Sequence, residues 1–484
     1  MVNFKIEMDF MKILILSGGG GARLWPSSRE SFPKQFMKIE NGLSLLQNTV
    51  LRALSLENIS EIITATNKNY FFYSVDEYKK IQLKHNSTFI LEPFPRNTAA
   101  PIAIASLYCS NFGDEELLIL PSDHVVGNNH ELIKKINLAM EAVNSGKIVM
   151  FGIKPTEPHL GYGYIKTGKK LFEGIYEVDG FIEKPILSDA EKYLHDNEFY
   201  WNSGMLIAKP SKIIDEFKRQ SPEYFKLIQE MWSNTVENYL FHHKIYSIPE
   251  EHFEDIKNSS IDYEIMEKSS NCAVVPVDCG WSDVGSWNEF ANLFKKEVWG
   301  SQSNSEVIQI DSRNFFVKTE GKLVAAIGVN DIVLIDTPDA LLIADKTRAQ
   351  EVKVLVEQMK LKGHNSYKQH LCVERPWGRY IILEESPDYK IKKIIVDPSA
   401  TLSLQYHLYR SEHWVVVSGV ALIQNGDNTM LLGASESTFI PKKVTHRLSN
   451  FSEIEPLIII EVQAGDYLGE DDIVRLDDAY SQNK

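Results

Sequence analysis

The sequence predicts a chain of three parts: an α/β domain on a mostly parallel sheet, a short β-solenoid-like spacer and a C-terminal β-barrel. Short apolar runs alternate with helix-length segments up to about residue 297, short strands recur regularly from 301 to 345, and an almost continuous strand pattern begins near residue 374. Each pattern is typical of a different class of fold. A chain of 484 residues is also too long for a single hydrophobic core.

The α/β prediction rests on strand-sized apolar runs with helix-length segments between them. The runs lie at 13–16, 62–66, 117–120 and 149–153. Residues 132–143 have the apolar spacing of a helix, and alternation of the two patterns predicts a parallel sheet covered by helices. We expect the folded domain to span residues 11–297, with the first ten residues as an extension.

The β-rich spacer is expected at residues 301–362. Its short strands recur about every eight or nine residues and are separated by Asp, Asn, Gly and Pro, a spacing that favours a short β-solenoid or a small sheet. A helix is expected at 348–362, before a Gly-His-Asn-Ser boundary. The remaining strand pattern predicts a β-barrel of the jelly-roll type at residues 370–484.

Composition limits the classes of function. Hydrophobic residues make up 43% and charged residues 24% of the chain, which is typical of a soluble globular protein, and no apolar run is long enough to span a membrane. The net charge of −15, with no basic stripe, argues against a nucleic-acid surface, so anionic ligands must be held by local cations or metal ions. The four cysteines lack the spacing of disulfides or metal sites, and we expect reduced thiols in a cytoplasmic protein.

The most informative segment, residues 14–36, is a buried strand that runs into four glycines and is followed by Arg23 and Lys34. Glycines let backbone N–H groups approach a phosphate chain closely, and the two cations can neutralise it. No Gly-Lys-Ser/Thr follows, which excludes a Walker loop, and the dinucleotide pattern fails because its third glycine would fall on Arg23 or Leu24. A tight turn without a ligand is the alternative, but Arg23 and the Pro-Lys-Gln segment favour an anion-binding loop for a nucleoside triphosphate.

This loop resembles the signature of a known family. Gly-Gly-x-Gly-x-Arg-Leu-Trp-Pro-x-Ser-Arg, followed by Pro-Lys-Gln-Phe, is similar to the motif of bacterial mannose-1-phosphate guanylyltransferases, which are sugar nucleotidyltransferases. The chain has Gly20 and Ala22 where Ser and Thr are more common in the family, and Ser27 where Leu is common. The resemblance implies an α/β nucleotidyltransferase domain of the GT-A-like type. The residues it places on the nucleotide and its phosphates are Gly18, Gly19, Gly21, Arg23 and Lys34.

Two carboxylates far apart in the sequence are candidate metal ligands. Asp123 follows a buried strand, and ligands of open α/β sheets bind beyond the carboxyl ends of strands. Asp283 lies in Gly-Trp-Ser-Asp-Val-Gly-Ser-Trp. Together they could hold one Mg²⁺, whose other ligands come from water and phosphate oxygens; a solvated Asp at a turn is the alternative. The resemblance implies that both residues bind Mg²⁺ and that Asp123 also takes part in catalysis.

A Phe-Ile-Glu-Lys-Pro segment places Glu183 beside Lys184. On an extended strand adjacent side chains point to opposite faces, so one can meet sugar hydroxyls and the other phosphate, although an exposed Glu-Lys pair is more often only solvated. In the family that the chain resembles, this motif binds the sugar phosphate, with Lys184 on the phosphate and Glu183 on the sugar. Other matching segments imply further substrate contacts: Asn97 and Thr98 near the base and ribose, and Gly163 and Asn202 around the sugar.

The C-terminal barrel has candidate metal ligands of its own. Gln405 and His407 are two residues apart on one strand and so point to the same face. Glu412 lies five residues beyond His407, so a bend at 409–411 is needed to turn it back, and His446 comes from a second strand. A single inward histidine is more often a hydrogen-bonded core residue. Gln, His, Glu and a distant His together suit a first-row divalent metal, namely Zn, Co, Mn or Fe.

This half resembles the cupin-fold phosphomannose isomerase domain of the bifunctional enzymes of the same family. The matching segments are Arg-Pro-Trp-Gly at 375–378, Arg-Ser-Glu-His-Trp at 410–414 and Tyr-Leu-Gly-Glu-Asp-Asp at 467–472. Leu408 and Tyr409 replace histidines that are common in the family, a departure that bears on substrate contact and leaves the four inferred ligands in place. Arg475 is a candidate phosphate-binding or enediol-stabilising residue; a surface Arg beside an acidic run is the alternative.

The resemblance implies a cytoplasmic enzyme that uses Mg²⁺ to transfer GMP from GTP to mannose 1-phosphate, and that also interconverts mannose 6-phosphate and fructose 6-phosphate in the barrel. No nucleic-acid or membrane partner is expected, and homo-oligomerisation is left open. The alternatives are a guanylyltransferase with a structural barrel, a nucleotidyltransferase for another sugar or base, and a non-catalytic regulator that binds sugar phosphates or nucleotides. The full set of Asp123, Asp283, Arg23 and Lys34 disfavours the regulator, because a binder does not need it.

Overall fold

The computed structural model describes residues 10–296 and 300–477. The expected N-terminal extension, apart from Phe10, and the expected domain end at Glu297 lie outside the described residues. The chain divides into two compact units, Met1–Lys368 and Gln369–Lys484. The first unit therefore contains both the α/β part and the β-rich segment, and the second contains the barrel.

The α/β part is built around one large sheet. Its strands are β1 (Met11–Ser17), β2 (Ile59–Asn67), β3 (Ser87–Glu92), β4 (Glu116–Pro121), β5 (Val125–Val126), β6 (Ile148–Ile153), β7 (Gly163–Phe172), β8 (Ile175–Glu183), β9 (Phe199–Ala208), β10 (Val236–Leu240), β11 (His243–Ser247), β12 (Cys272–Val277) and β13 (Trp281–Ser282). Its helices are α1 (Leu45–Ala53), α2 (Phe71–Lys80), α3 (Ala99–Ser110), α4 (Asn129–Asn144), α5 (Leu187–His195), α6 (Pro210–Gln220), α7 (Pro222–Ser233), α8 (Glu250–Phe253) and α9 (Trp287–Ala291). The strand order is β10-β11-β3-β2-β1-β4-β9-β6-β12-β8-β7, and β5 pairs with β13 apart from this sheet.

The sheet is parallel through its centre and has antiparallel strands on both sides. Strands β11, β3, β2, β1 and β4 are parallel neighbours, and β9 then runs antiparallel to β4. The predicted runs lie in β1, β2, β4 and β6, and the predicted helix is α4. Ile13, Leu14 and Ile15 are fully buried because helices cover both faces of β1, which explains its continuous apolar run. The carboxyl ends of β1, β3 and β4 meet at one edge, where ligands bind in sheets of this kind.

The β-rich segment of the first unit is a short solenoid. Its elements are β14 (Gln302–Ser303), β15 (Val307–Ile310), β16 (Phe316–Lys318), β17 (Val324–Ile327), β18 (Ile332–Thr337), β19 (Ala340–Asp345) and the helix α10 (Val352–Leu361). Strands β14, β16 and β18 are parallel in one sheet, and β15 and β17 are parallel in another. Successive strands thus alternate between two sheets, which confirms the predicted solenoid. Trp25 and Trp287 share a hydrophobic core with Phe316 and Val333 of this segment.

The second unit consists of two antiparallel sheets that enclose one core. Its strands are β20 (Cys372–Arg375), β21 (Gly378–Glu385), β22 (Tyr389–Val396), β23 (Leu404–His407), β24 (Arg410–Ser418), β25 (Ala421–Asn425), β26 (Asn428–Leu432), β27 (Ser437–Ile440), β28 (His446–Asn450), β29 (Leu457–Gly465) and β30 (Ile473–Asp477). The sheet orders are β20-β21-β22-β29-β24-β27 and β26-β25-β28-β23-β30. Burial alternates along β29, with Leu457 and Ile459 in the core, as expected of a strand with one solvated face. Among the described helices of the whole chain, none is both long and apolar enough to cross a bilayer.

Candidate active sites

Two cavities open at the carboxyl edge of the main sheet. Their volumes are about 330 Å³ and about 220 Å³. Asp123 and His124, which follow β4, line both cavities, so the two adjoin. Among the residues predicted from the sequence, the larger cavity is lined by Gly18, Gly19, Asn97, Thr98, Asp123 and Asn202, and the smaller by Gly21, Arg23, Lys34, Asp123 and Asp283. Most of the residues predicted to bind nucleotide and Mg²⁺ thus meet at one edge of the sheet.

Lys34 connects the glycine loop to both candidate metal-binding residues. Its Nζ lies 2.8 Å from Oδ2 of Asp123 and donates to the main-chain oxygen of Asp283. Gly21 permits this approach, because a Cβ on Gly21 would lie 2.7 Å from the Cβ of Lys34. Burial disfavours ionised Asp123, but the charge and hydrogen bond of Lys34 outweigh it and hold the pKa of Asp123 below its usual value. Asp123 therefore stays charged as a ligand for a cation.

The Asp283 carboxylate is oriented by its neighbours. Its Oδ1 accepts hydrogen bonds from the Tyr162 hydroxyl at 2.5 Å and from the Gly285 amide at 3.2 Å. Burial, followed by the charge of Asp283, raises the pKa of nearby Glu289 to about 7. A second carboxyl group that resists ionisation indicates negative potential around Asp283. Two oriented carboxylates on one polar cavity supply the hard oxygen ligands that Mg²⁺ requires, so the residues present fit this ion.

His124 is a site residue to which the sequence assigned no role. Its Nδ1 accepts a hydrogen bond from Nε1 of Trp281 at 3.2 Å, and the two rings meet edge to face. Burial lowers the pKa of His124 despite the charge of Asp123, so the neutral imidazole is favoured. A neutral ring beside Asp123 adds a hydrogen-bonding group without competing for the anion's charge.

The Glu183–Lys184 pair differs from the geometry expected of an extended strand. Strand β8 ends at Glu183, Lys184 has a φ of +49°, and its Nζ donates to Oε1 of Glu183 over 2.7 Å. The expectation that the two side chains point to opposite faces is wrong, because the positive φ ends the alternation at this residue. The side chain of Lys184 is 55% exposed, so its ammonium group is accessible to a ligand.

Asp262 joins the Glu183 region to the larger cavity, which it lines. Burial, followed by the charge of Glu183, raises the pKa of Asp262 to about 6. Its Oδ1 accepts a hydrogen bond from Nδ2 of Asn202 at 2.9 Å. Gly163 makes room for Glu183, since a Cβ there would lie 2.6 Å from Oε2 of that residue. Glu183, Lys184 and Gly163 thus lie beside the larger cavity, next to its lining.

Other residues of the predicted motifs support the loops. Thr98 accepts a hydrogen bond at Oγ1 from the Ile261 amide at 3.0 Å, and Asn97 has a φ of +65°. Arg29 is 1% exposed and donates from both terminal nitrogens to Asp339 of the solenoid, at 2.9 and 3.1 Å. Arg29 therefore fixes the end of the glycine-loop motif in place, whereas Arg23 is exposed on the smaller cavity.

A second candidate site lies inside the barrel. His407, Glu412 and His446 have side chains that are each only 1% exposed, and one ligand atom from each lies within 4.8 Å of the others. Nε2 of His407 is 2.9 Å from Oε1 of Glu412, and Nε2 of His446 is 3.7 Å from Oε2. Burial opposes ionisation of Glu412, but its polar and charged neighbours, Arg410 among them, keep the pKa of Glu412 far below its usual value.

Backbone carbonyls orient both imidazole rings. Nδ1 of His446 lies 2.9 Å from the oxygen of Val444, and Nδ1 of His407 lies 3.4 Å from that of Asp472. With Nδ1–H directed at a carbonyl, the Nε2 lone pair of each ring faces Glu412. Among the described residues, neither buried Nε2 atom has a partner in hydrogen-bonding geometry. Two orphaned imidazole nitrogens and a carboxylate fit a first-row divalent metal.

Glu412 reaches this cluster by a different route from the predicted one. Strand β23 ends at His407, and β24 begins at Arg410 in the opposite sheet. The chain bends one residue earlier than predicted, at Leu408 and Tyr409, and the bend is a change of sheet, so Glu412 faces His407 across the barrel. The amides of both turn residues donate to the Asp472 carboxylate, and both side chains are exposed, at 39% and 53%.

Gln405 and Arg475 share the face of the cluster. Gln405 lies opposite His446 in one strand pair and opposite Arg475 in the next, and residues paired in this way point to the same side. The Oε1 atom of Gln405 accepts a hydrogen bond from Ser403 at 2.9 Å, and Arg475 is exposed. Arg475 is thus an exposed residue on the strand face that also carries Gln405 and His446.

Family models match the chain in three successive segments. The nucleotidyl transferase model covers residues 12–298, the MannoseP isomerase/GMP-like β-helix domain covers 305–359, and the mannose-6-phosphate isomerase C-terminal domain covers 362–478. The xanthan biosynthesis protein XanB of Xanthomonas campestris pv. campestris (strain B100) is 41% identical over 97% of this chain and 98% of its own length. The chain belongs to the mannose-1-phosphate guanylyltransferase family.

Other relatives in the guanylyltransferase family match at similar levels. The alginate biosynthesis protein AlgA of Pseudomonas aeruginosa is 40% identical over 97% of both chains. Mannose-1-phosphate guanylyltransferase 2 of Escherichia coli O157:H7 is 39% identical over 96% of this chain and 98% of its own. The resemblance seen in the sequence is therefore confirmed over nearly the whole chain.

Solved structures support the same fold class. A Thermus thermophilus protein described as a mannose-1-phosphate geranyltransferase is 27% identical, with a TM-score of 0.63 over 72% of this chain and 99% of its own. The mannose-6-phosphate isomerase of Helicobacter pylori is 28% identical, with a TM-score of 0.51 over 56% of this chain and 99% of its own. The nucleotidyltransferase and cupin folds predicted for this guanylyltransferase family member are confirmed, and both domain families use divalent metals.

Proposed function

We propose that this chain transfers GMP from GTP to mannose 1-phosphate, giving GDP-mannose and pyrophosphate. The observation that carries the proposal is the convergence of Lys34, Asp123 and Asp283 on one cavity beside the glycine loop. Relatives of the same length include proteins named for this reaction. The domain boundaries inferred from the sequence, 11–297, 301–362 and 370–484, belong to the same proposal.

The reaction needs charge neutralisation and alignment, and no protein nucleophile. A phosphate oxygen of mannose 1-phosphate forms a bond to the α-phosphorus of GTP, while the bond from that phosphorus to the oxygen bridging to the β-phosphorus breaks and pyrophosphate leaves with the electron pair. The attacking oxygen is already anionic, so no proton has to be removed. Mg²⁺ held by Asp123 and Asp283 would neutralise phosphate charge.

Different residues of the chain bind the triphosphate, the acceptor phosphate, the sugar and the nucleoside. The amides of the glycine loop, at Gly18, Gly19 and Gly21, and the cations Arg23 and Lys34 bind the triphosphate and stabilise the leaving pyrophosphate. Lys184 holds the phosphate of the acceptor, and Glu183 holds its hydroxyl groups. The sugar is further bound near Gly163 and Asn202, and Asn97 and Thr98 bind the nucleoside.

The test is pyrophosphate release with each of GTP, ATP, UTP and CTP and with mannose 1-phosphate, then with other sugar 1-phosphates. Release that requires GTP and mannose 1-phosphate together, and depends on Mg²⁺, is the expected result. Turnover restricted to another base or sugar would transfer the proposal to that substrate. Binding of GTP without turnover by any sugar phosphate would favour a regulator.

We also propose that the barrel interconverts mannose 6-phosphate and fructose 6-phosphate. The buried His407–Glu412–His446 cluster favours this second activity, since a structural barrel has no need of two orphaned imidazole nitrogens. A metal ion there, with Gln405 as a fourth ligand, would polarise the sugar carbonyl as a proton moves between adjacent carbons through an enediol. Arg475, exposed on the same face, would bind the phosphate or the enediol.

The test is a coupled assay of mannose 6-phosphate isomerisation with Zn²⁺, Co²⁺, Mn²⁺ and Fe²⁺ in turn. Activity with at least one ion is expected. Its absence with all four would leave a guanylyltransferase with a structural barrel. We place the protein in the cytoplasm because all four cysteines, which lie in the described part of the chain, are thiols and not disulfides; sedimentation of the purified chain would give its oligomeric state.

A further inference from the structure

Glu92 is the last residue of β3 and lines the larger cavity. Only 3% of the residue is exposed. Gly18 makes room for its carboxyl group: a Cβ on Gly18 would lie 3.2 Å from Oε2 of Glu92. The carboxyl group therefore lies against the start of the glycine loop, at the carboxyl edge of the sheet.

The carboxyl group of Glu92 lacks a hydrogen-bond donor at one of its two oxygens among the described residues. Its Oε1 atom is buried and accepts no hydrogen bond from the described residues. Burial raises the pKa of Glu92 to about 8, and no cation in the described part of the chain offsets the effect. Buried polar groups are almost always hydrogen-bonded, so an orphaned carboxyl oxygen on a cavity wall indicates a ligand that donates to it.

The surroundings of Glu92 suit a flat, mostly apolar ring. The larger cavity is also walled by Ala65, Ile102, Met150 and Leu206. Its volume of about 330 Å³ is at the lower end of the range for small-molecule sites. The cations proposed to bind the triphosphate, Arg23 and Lys34, line the adjoining smaller cavity, so the apolar part of the larger cavity is left for the nucleoside.

We propose that Glu92 selects the base of the nucleotide, its two carboxylate oxygens accepting the N1–H and the 2-amino N–H of guanine. This inference rests on the proposed guanylyl transfer and adds to it the residue that determines which base is used.

The donor pattern of guanine is the one that a carboxylate needs. Its N1–H and 2-amino group are adjacent donors that point the same way, matching two acceptor oxygens. Adenine has a bare nitrogen and a C–H at these positions, and uracil has a single N–H flanked by two carbonyl groups. A site built to hydrogen-bond a ligand rejects analogues that lack the donor, because its own buried groups are then left unpaired.

Base recognition by Glu92 also predicts a proton change on binding. Without a ligand, a pKa of about 8 keeps Glu92 protonated at pH 7. Two donated hydrogen bonds favour the ionised carboxylate, so guanine nucleotides should displace this proton. Calorimetric titration of GTP in buffers of different ionisation enthalpy measures the number of protons released.

The experiment compares GTP, ITP and ATP in the full-length wild type and in Glu92→Gln. ITP lacks only the 2-amino group. In the wild type, kcat/KM should be about 10- to 100-fold lower for ITP than for GTP, the scale of one hydrogen bond to a charged group, and at least about 1,000-fold lower for ATP. Glu92→Gln should lower kcat/KM for GTP about 100-fold, bring GTP and ITP within about 3-fold of each other, and abolish the proton release.

Glu77→Gln is the matched control, because Glu77 is also a buried glutamate with one orphaned oxygen and lies on α2, away from the cavity. It should keep the wild-type preference for GTP. Equal losses for all three nucleotides in Glu92→Gln, or a wild type that uses ITP as well as GTP, would overturn base selection by Glu92. The wild-type comparison holds even if the variant does not fold. Binding of GDP, IDP and ADP measured by calorimetry tests Glu92 independently of turnover, so failure of the proposed transfer remains distinguishable.

Discussion

Nζ of Lys34 lies 2.8 Å from Oδ2 of Asp123, and the same ammonium group donates to the main-chain oxygen of Asp283. One buried cation therefore contacts the carboxylate of Asp123 and the backbone of Asp283, the two residues proposed to bind Mg²⁺. When a nucleotide enters, its phosphates and the metal can divide these charges between them. Positioning by a single cation, without a large rearrangement, is how a preorganised site stabilises developing charge.

Asp123→Asn and Asp283→Asn should each weaken the Mg²⁺ dependence of guanylyl transfer. Asparagine keeps the size of the side chain but removes the charge that a hard cation requires. We expect a higher Mg²⁺ concentration for half-maximal rate and a fall in kcat of about 100-fold or more, with Asp123→Asn the more severe. Titration of the initial rate with Mg²⁺ measures both quantities. Asp278→Asn, at an exposed position five residues before Asp283, is the control and should match the wild type; unchanged Mg²⁺ titrations in both variants would remove these residues from the metal site.

Lys184→Ala should nearly abolish nucleotide transfer and leave the fold intact. The side chain is 55% exposed and contacts Glu183, so its loss removes a charge for the acceptor phosphate with little effect on packing. A loss of about 2 to 4 kcal/mol in transition-state stabilisation is the scale of one electrostatic partner. The measurement is kcat/KM for mannose 1-phosphate. The control is Lys166→Ala, because Lys166 on β7 forms a similar ion pair with Asp179 on β8. This variant should keep full activity. Near-normal turnover of Lys184→Ala at saturating mannose 1-phosphate would count against the assignment.

Arg29→Lys should destabilise the first unit even though it keeps the charge. The guanidinium of Arg29 bonds both oxygens of Asp339 and the carbonyl oxygen of Pro26, and a lysine cannot reproduce this fork. We expect a loss of about 2 kcal/mol in the free energy of unfolding. Thermal unfolding followed by calorimetry, with Arg313→Lys on the exposed face of the solenoid as control, measures it. Equal melting temperatures for Arg29→Lys and the wild type would mean that the fork adds no stability.

The extent of prediction from sequence follows from what each pattern encodes. Strand β1 was predictable because a run such as 13–16, buried on both faces, has few alternatives, and the solenoid because its spacing repeats. Lys184 and Glu412 were predicted as site residues, but their geometry was not. A positive φ at Lys184 and a change of sheet before Glu412 depend on backbone contacts that single residues do not encode.

The roles of other site residues could not be read from the local sequence. Asp262 and Glu92 have raised pKa values only because distant segments bury them, and burial is a property of the folded chain. His124 stood within a recognised segment, yet nothing in sequence places it against Trp281. The motif gave the positions near the ligand, and the fold decides which of them face it.

Glu92 should make stability fall with rising pH. Its pKa is about 8 in the folded protein and about 4.5 when the chain is unfolded, so between these values the folded state binds the additional proton. This proton stabilises the folded state fully below pH 4.5, and the stabilisation is lost as pH rises through 8. By pH 7 the loss amounts to about 3 kcal/mol. Glu92→Gln cannot ionise and should therefore be more stable than the wild type at pH 7 to 8, with no difference near pH 4.5. Denaturant unfolding of both proteins at several pH values tests this; a variant that is less stable at every pH would refute the burial argument.

The metal-ligand cluster of the barrel and the phosphate-binding site of the first unit should work independently of each other. His407, Glu412 and His446 lie in the second compact unit, whereas the glycine loop and both aspartates lie in the first. His407→Ala and Glu412→Gln should each abolish mannose 6-phosphate isomerisation and reduce bound divalent metal, and should spare GDP-mannose synthesis. His413→Ala is the matched control, since His413 adjoins Glu412 on β24 but is exposed on the other face. Both activities and the metal content are measured on the same preparations. If the wild type binds metal yet does not isomerise, the exposed Tyr409 and Leu408 are the first substitutions to revert to histidine. If His407→Ala abolishes guanylyl transfer in a folded protein, the two sites are not independent.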